Sequence, residues 1–397
     1  MEPQAEIPKS SRHKCSACFK QYKIKDHLVE HMKKSYHSVH QPKCGVCKKH
    51  CKTLESVREH LTGPLAKSDC AVVFAALGCK LCLSIFDNVD ARGLHEVSCS
   101  FDPPSVPELM SLPIADMCDE VEAAVLNSAV PDDNGTCPKL VALDCEMVGG
   151  GDYGSFNLCG RVCLVNEKEE VIFHAYVKPI IPITDYRYEL TGITEDHIVD
   201  ATPICEVSKR VKEILYNGEE STWRMRTDGG EACLLIGHDL DHDLEVLRMD
   251  YPENLTRDTA KYRPLLKTNL KSHSLKYLTK TYLGCVTRSY EIQSGTHNPY
   301  EDAVSAMRLY KRIRSIVHQT NEISIQDNDD SIYYTNDSKK NSPFDSNKNN
   351  KKKSPFDLYK KCELLAKSPD ELLEISKSSY KCWCWDAKRT LNRMIEE

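Results

Sequence analysis

The stretch LVALDCEM, Leu140–Met147, decides how this chain folds. Leu140–Leu143 is an apolar run of strand length, so the segment reads as a buried strand. Side chains alternate across a strand, which puts Asp144 and Glu146 on one face near its C-terminal end. Two adjacent carboxylates repel, and a divalent cation between them removes that cost. Two later segments supply matching groups. LLIG, Leu234–Gly237, reads as a second apolar strand, with Asp243 on the first turn of the helix that follows. EDAVSAMRLYKRIRSIV carries Ala303, Ala306, Met307, Tyr310 and Ile313 at helical spacing, with Asp302 in its first turn, where the helix dipole favours a carboxylate. His297 stands in the loop before it, and a histidine of near-neutral pKa on a loop suits a general base that activates water. Together these groups are the minimum set for two-metal phosphodiester hydrolysis, in which ions roughly 3.5–4 Å apart hold the attacking and leaving oxygens.

Each element alone has a plainer reading: a solvated turn, a surface histidine, a helix-start carboxylate. The ordered set is specific, because any fold that buries the surrounding apolar runs makes the three segments long-range neighbours.

The segments LDCEMVG, GHDLDHDL and HNPYEDA resemble the three exonuclease motifs of the DEDDh 3′–5′ exonucleases. More narrowly they resemble the RNA exonuclease (Rex) branch, which includes the interferon-stimulated and apoptosis-enhancing nucleases. YVKPIIPITDYRYELTGIT, Tyr176–Thr194, is similar to that branch's linking segment, and the likeness covers residues 138–316. It implies an RNase H-like fold, two Mg²⁺ or Mn²⁺ ions, and release of nucleoside monophosphates from a 3′ end. By position it implies that Asp144, Glu146, Asp243 and Asp302 are metal ligands and His297 the base. The DEDDy sister group needs a tyrosine at position 298, which is Asn here. Two departures stand out: His242 where Asn is common, and a glycine-rich GGGDYGSFNLCG that can reshape the substrate groove.

The N-terminal part repeats a zinc-finger cadence. Cys15 and Cys18 precede His31 by twelve intervening residues, His37 follows, and Tyr22 and Leu28 occupy the small-core positions. A ββα unit of about 25–30 residues cannot bury enough surface alone, so zinc supplies folding free energy. Cys44 and Cys47 precede His60 by the same gap, with Cys70 as fourth ligand and His50 and Cys51 as competitors. Cys79, Cys82, His95 and Cys99 form a third array, weakened by Arg92 at a core position. For both later arrays the alternative is a set of reduced, buried cysteines in one small domain. Lys20, Lys23, Lys25, Lys33 and Lys34 give the first finger enough charge for salt-sensitive phosphate contacts, or simply a solvated face. The irregular spacing argues against a tandem array reading three base pairs per finger; structured RNA or a protein partner fits better.

A chain of 397 residues predicts two or three domains. Without an apolar run of membrane length or a charged-then-apolar leader, it is expected to be neither membrane-inserted nor secreted, and its 20 cysteines read as metal ligands or buried thiols. The net charge of −6 hides segregation: residues 1–100 carry 16 Lys/Arg against 10 Asp/Glu, while residues 101–137 carry 8 acids and no base. The expected layout is a finger region over 1–100 (fingers near 13–37, 42–70 and 77–99), an acidic linker over 101–137 and an exonuclease domain over 138–318. A disordered low-complexity linker over 319–354 and a helical, aromatic segment over 355–397 follow.

The catalytic part reads as α/β with a five-stranded mixed sheet: Leu140–Asp144, Gly160–Val165, Val171–Val177, Leu234–Gly237 and a strand near Thr259. PICEVSKRVKEILYNG and SHSLKYLTKTYLG read as helices, and Glu219–Glu231 as a surface loop. Lys351–Lys353 with Lys348 fits a nuclear import signal or a solvated charge run, so a nuclear or nucleolar site is expected. Tyr380, Trp383 and Trp385 suit docking on the fold or on a protein partner. Two functional classes remain: a metal-dependent 3′–5′ exonuclease aimed at RNA by its fingers, with DNA as the alternative polymer, and a catalytically silent zinc-finger protein that binds nucleic acid. The complete five-residue set favours the enzyme.

Overall fold

The computed structural model describes residues 12–35, 37, 40–111, 139–217, 232–284, 289–316, 361–375, 382–384 and 386. The chain divides into two compact units, Met1–Gln41 with Val317–Lys381, and Pro42–Ile316 with Cys382–Glu397. The sequence pattern groups three fingers in one N-terminal region; in the structure the first belongs to one unit and the other two to the second unit. The expected linker over 319–354, with Lys348 and Lys351–Lys353, lies outside the described residues, as do 112–137 of the acidic stretch and the loop over 219–231.

In the first unit, β1 (His13–Lys14) and β2 (Gln21–Tyr22) pair antiparallel ahead of helix α1 (Lys25–Ser35). A single finger leaves apolar surface on its helix. Here Leu28, Val29 and Met32 are buried together with Leu364 and Leu372, from two short helices at Lys361–Ala366 and Pro369–Ile375. Ser16 Oγ donates to the carbonyl of Pro369 at 3.4 Å, fixing the second of these. Part of the C-terminal segment thus completes the core of the first finger.

The second unit opens with helices α2 (Leu54–Thr62), α3 (Ser68–Leu77) and α4 (Val89–Cys99). Thr53 and Asn88 cap α2 and α4 by accepting from the backbone of Ser56 and Ala91, which fixes where each helix starts. The central strand is β3 (Leu140–Gly150), followed by β4 (Phe156–Asn166), β5 (Val171–Lys178), β6 (Ile183–Asp185) and the short helices α5 (Tyr188–Thr191) and α6 (Asp196–Val199). Then come β7 (Thr202–Pro203), α7 (Ile204–Tyr216), β8 (Leu234–Gly237), α8 (Leu240–Val246), β9 (Thr256–Asp258), α9 (Leu275–Tyr282) and α10 (Pro299–Arg314).

Seven strands form one mixed sheet in the order β7-β5-β4-β3-β8-β9, with β6 also on β3. The five expected strands are all present; the short β6 and β7, too brief to show a periodic pattern, are additional. β3 runs parallel to β8 over Leu140–Ala142 and antiparallel to β4 over its whole length. Gly160 is the extra residue at a bulge opposite Glu146 and Met147, and a Cβ there would lie 2.8 Å from Ile193 and 2.9 Å from Val148. Helix α10 buries Ala303, Val304, Ala306, Met307, Tyr310 and Ile313.

The later fingers are built into this unit. Glu55 accepts from the amide of Thr268 at 3.1 Å and from His273 Nε2 at 3.0 Å. Arg58 lies over the ring of Tyr282, 5.2 Å from its centroid. Arg312 of α10 donates to the carbonyls of Cys99 and Tyr282, and Arg308 to that of Asp102 at 2.7 Å. Trp383 docks here too, stacking on Tyr262 with centroids 3.8 Å apart, while Tyr380 and Trp385 lie outside the described residues. Among the described residues no helix is long and apolar enough to cross a membrane.

Candidate active site and metal centres

The catalytic candidates come from three elements that the sheet order brings together. β3 supplies Asp144 and Glu146, whose cross-strand neighbours on β4 are Cys163 and Arg161. β8 ends at Gly237, Asp239 turns the chain with a left-handed φ of 67°, and α8 then presents Asp243. The amide of Cys145 donates to Asp243 Oδ1 at 3.1 Å, joining the first and second motifs. Asn298 caps α10 by accepting from the Tyr300 amide, and Pro299 fills the first turn, which sets the position of Asp302. The His297 amide donates to the Leu190 carbonyl at 2.6 Å, anchoring the loop on α5.

Ligand atoms of Glu146, His297 and Asp302 all lie within 4.8 Å of one another. Asp144 and Asp243 adjoin them. Burial raises the Asp144 carboxyl well above the usual range, and the charges of Asp302, Asp243 and Glu146 add to it. Burial also raises Asp243, against the stabilising Cys145 amide. Glu146 is pushed up to about 8, first by burial and then by Asp302, with Arg161 opposing. Asp302 rises to about 7 through burial, against the hydrogen bond from Gln293. Asp302 Oδ1 is buried without a hydrogen-bond partner. Hard carboxylate oxygens, crowded and one of them orphaned, suit a divalent cation such as Mg²⁺ or Mn²⁺.

His297 is half-buried, and burial together with the nearby Lys276 ammonium lowers its pKa, favouring the neutral imidazole. His238 and His242 are engaged elsewhere, at 2.9 Å with Thr259 Oγ1 and 3.0 Å with Asp239 Oδ2. Sequence reading missed Gln293, which donates to Asp302 Oδ2 at 2.8 Å, and Arg161, which faces Glu146 across the strands and donates to His174. Neither sits in a motif with a chemical signature; only strand register and the turn before α10 reveal them.

Each Cys/His array also converges, with ligand atoms within 4.8 Å in Cys15–Cys18–His31–His37, Cys44–Cys47–His60–Cys70 and Cys79–Cys82–His95–Cys99. In the first, the remaining ring nitrogens are taken: His31 Nδ1 by Ser35 Oγ at 2.9 Å, and His37 Nδ1 by Gln41 Oε1 at 3.1 Å. Such outer hydrogen bonds orient imidazoles for a metal. In the second, Cys70 joins the cluster rather than His50 or Cys51. In the third, Arg92 is no apolar core residue but donates to the Ala75 and Ala76 carbonyls at the end of α3, while Phe86 packs on His95 with centroids 4.4 Å apart. The thiols divide: hydrogen bonds from Cys15 and Cys79 hold Cys18 and Cys82 far down, while Cys15 and Cys99 are driven up.

Residues 141–310 match the family model described as Exonuclease (RNase_T). The segment has an RNase H-like α/β fold and is similar to exonuclease domains. Its relatives include RNA exonuclease 4 of Cryptococcus neoformans, 38% identical over 174 residues, covering 44% of this chain and 38% of that protein. RNA exonuclease 4 of Homo sapiens is 35% identical over 182 residues, covering 45% of this chain and 38% of that one. RNA exonuclease 4 of Candida glabrata is 32% identical over 194 residues, with 48% and 66% covered. The chain thus spans well under half the length of the first two relatives and about two thirds of the third. The exonuclease family implies a divalent metal cofactor, and the Cys/His groups of this chain allow zinc.

Proposed function

We propose that this protein is a metal-dependent 3′–5′ exoribonuclease that releases nucleoside 5′-monophosphates. The observation that carries the reading is the meeting of Glu146, Asp302 and His297, with Asp144 and Asp243 beside them, inside a domain whose relatives are named RNA exonucleases. Asp144, Glu146, Asp243 and Asp302 would hold two ions, Mg²⁺ or Mn²⁺, which supply positive charge for the attacking and leaving oxygens. His297, its neutral form favoured by burial and Lys276, takes a proton from the attacking water. Its backbone bond to Leu190 aims the ring into the acidic cluster.

The three Cys/His arrays hold structural zinc in this reading, the first being supported by its satisfied outer nitrogens. The fingers guide single-stranded 3′ ends or structured RNA to the site, and the work is nuclear. Purified protein incubated with 3′- and 5′-labelled single-stranded RNA and DNA, with Mg²⁺ or EDTA, tests the activity. Stepwise Mg²⁺-dependent loss of a 3′ label from RNA supports the reading. Faster loss from DNA moves the substrate to the other polymer, and binding without loss leaves a silent nucleic-acid-binding protein.

A further inference from the structure

We propose that Gln293 is a positioning residue that aims the Asp302 carboxylate at the metal, an inference that rests on the exonuclease reading above. Gln293 Nε2 donates to Asp302 Oδ2 at 2.8 Å. An ionised carboxylate only accepts, so the amide must present its nitrogen to Asp302. The other oxygen, Oδ1, is buried with no hydrogen-bond partner, on a residue 4% exposed. A buried acceptor left unpaired is costly, more so when charged, and so points to a ligand. Ligand atoms of Glu146 and His297 lie within 4.8 Å of that of Asp302. One oxygen is therefore tethered while the other is left for the cluster.

The backbone gives a second, independent sign. Gln293 has a φ of 54°, the left-handed region that a long side chain rarely adopts. Such strain persists only where surrounding contacts over-determine it. Here Lys276 Nζ on α9 donates to the Gln293 carbonyl at 2.9 Å. Just before it, Ile292 and Tyr290 are 1% and 0% exposed. The Tyr290 hydroxyl lies 3.2 Å from Ser305 Oγ, three residues beyond Asp302 on α10. The segment is thus fastened to α10 at two points one helical turn apart, and to α9 at a third. A surface turn with an incidental hydrogen bond would have no need of left-handed strain at its amide-bearing residue.

The test reads metal binding apart from catalysis, by electron paramagnetic resonance of free Mn²⁺ titrated with the full-length, zinc-loaded protein. The Asp302→Ala variant serves as the blank. Gln293→Met keeps the side-chain length and removes the donor; its Mn²⁺ dissociation constant is expected to rise ~10–100-fold, the usual effect of losing a group that orients a metal ligand. Turnover on labelled RNA should fall at low Mn²⁺ and recover at high Mn²⁺, with KM for RNA unchanged. Gln293→Asn tolerates the left-handed backbone but is one methylene short, and should lie between wild type and Gln293→Met. If Gln293→Met does not fold, the Asn variant decides alone. Wild-type Mn²⁺ affinity in the folded variants overturns the proposal, even where the wild type degrades RNA. Weakened binding in a protein that degrades nothing sustains the positioning role and removes the exonuclease reading.

Discussion

Asp386 and Arg257, 129 residues apart in sequence, form a two-point ion pair, with Nε and Nη2 each 2.7 Å from a different carboxylate oxygen. Both side chains are almost fully buried, Asp386 at 3% and Arg257 at 4% exposure, and the Tyr310 hydroxyl donates to the same carboxylate at 3.0 Å. Asp386 therefore ties the end of the described chain to β9 and to α10, the helix that carries Asp302.

Breaking a buried pair from one side leaves a charge without compensation. Asp386→Ala should lower unfolding stability by about 3–5 kcal/mol, read from denaturant midpoints of the catalytic unit. Replacing both members with apolar residues should cost much less. Equal midpoints for wild type and Asp386→Ala would show that the strap does not hold the unit together.

The metal-free site should resist ionisation. In the fold Glu146 is pushed up to about 8 and Asp302 to about 7, above their ordinary values of 4.5 and 3.8, because burial favours the protonated forms, aided by the charge of Asp302 at Glu146 and of Glu301 at Asp302. A raised folded pKa gives stability that is full below the unfolded value and lost as pH rises through the folded one. The metal-free protein should thus lose stability as pH climbs from about 4 to 8, and Mn²⁺ should restore it. Mn²⁺ affinity should fall as pH drops from 8 towards 7, since protons compete for the same oxygens. Calorimetric titrations across that range check the sign, and tighter binding at the lower pH would contradict it.

In the proposed mechanism His297 acts later than binding. His297→Ala should reduce turnover ~10²–10⁴-fold while leaving RNA affinity in place. Burial and Lys276 lower its pKa, so the acidic limb of the pH–rate profile should lie below the ordinary histidine range. Loss of activity in His238→Ala or His242→Ala, with His297→Ala active, would assign the base elsewhere.

Much of this was legible in Leu140–Met147 and Leu234–Gly237, because buried strands write their apolar character directly into the chain. The strand alternation that places Asp144 and Glu146 on one face survives, since the bulge at Gly160 falls on β4 rather than between them. What escaped lay in long-range contacts with no local period. Glu55 reads as an ordinary helix residue until His273, 218 positions away, accepts it as neighbour. Trp383 and Asp386 show only an aromatic, mixed tail, and their receptor is assembled from Arg257 of β9, Tyr262 beyond it and Tyr310 of α10. Arg92 broke the finger pattern because its role, bonding the end of α3, depends on an adjoining helix.

The docked fingers change what truncation should do. A chain beginning near Pro131 loses Glu55 from His273, the Cys99 carbonyl from Arg312 and the Asp102 carbonyl from Arg308. Hydrogen bonds to charged groups are worth about 1.5–3 kcal/mol each, so its melting temperature should fall, even on short unstructured RNA where guidance is not needed. Unchanged melting in the truncated protein would return the later fingers to a separate guiding module.

The proposed function requires Asp144, Glu146, Asp243 and Asp302 to hold the metal on which RNA degradation depends. Its most direct test follows a 5′-labelled single-stranded RNA with pure wild type and Asp302→Ala, each in Mg²⁺ and in EDTA. A ladder shortening from the 3′ end with wild type in Mg²⁺ alone, and intact RNA in the other three mixtures, is the predicted result. Substantial shortening by Asp302→Ala, or by wild type in EDTA, contradicts the account.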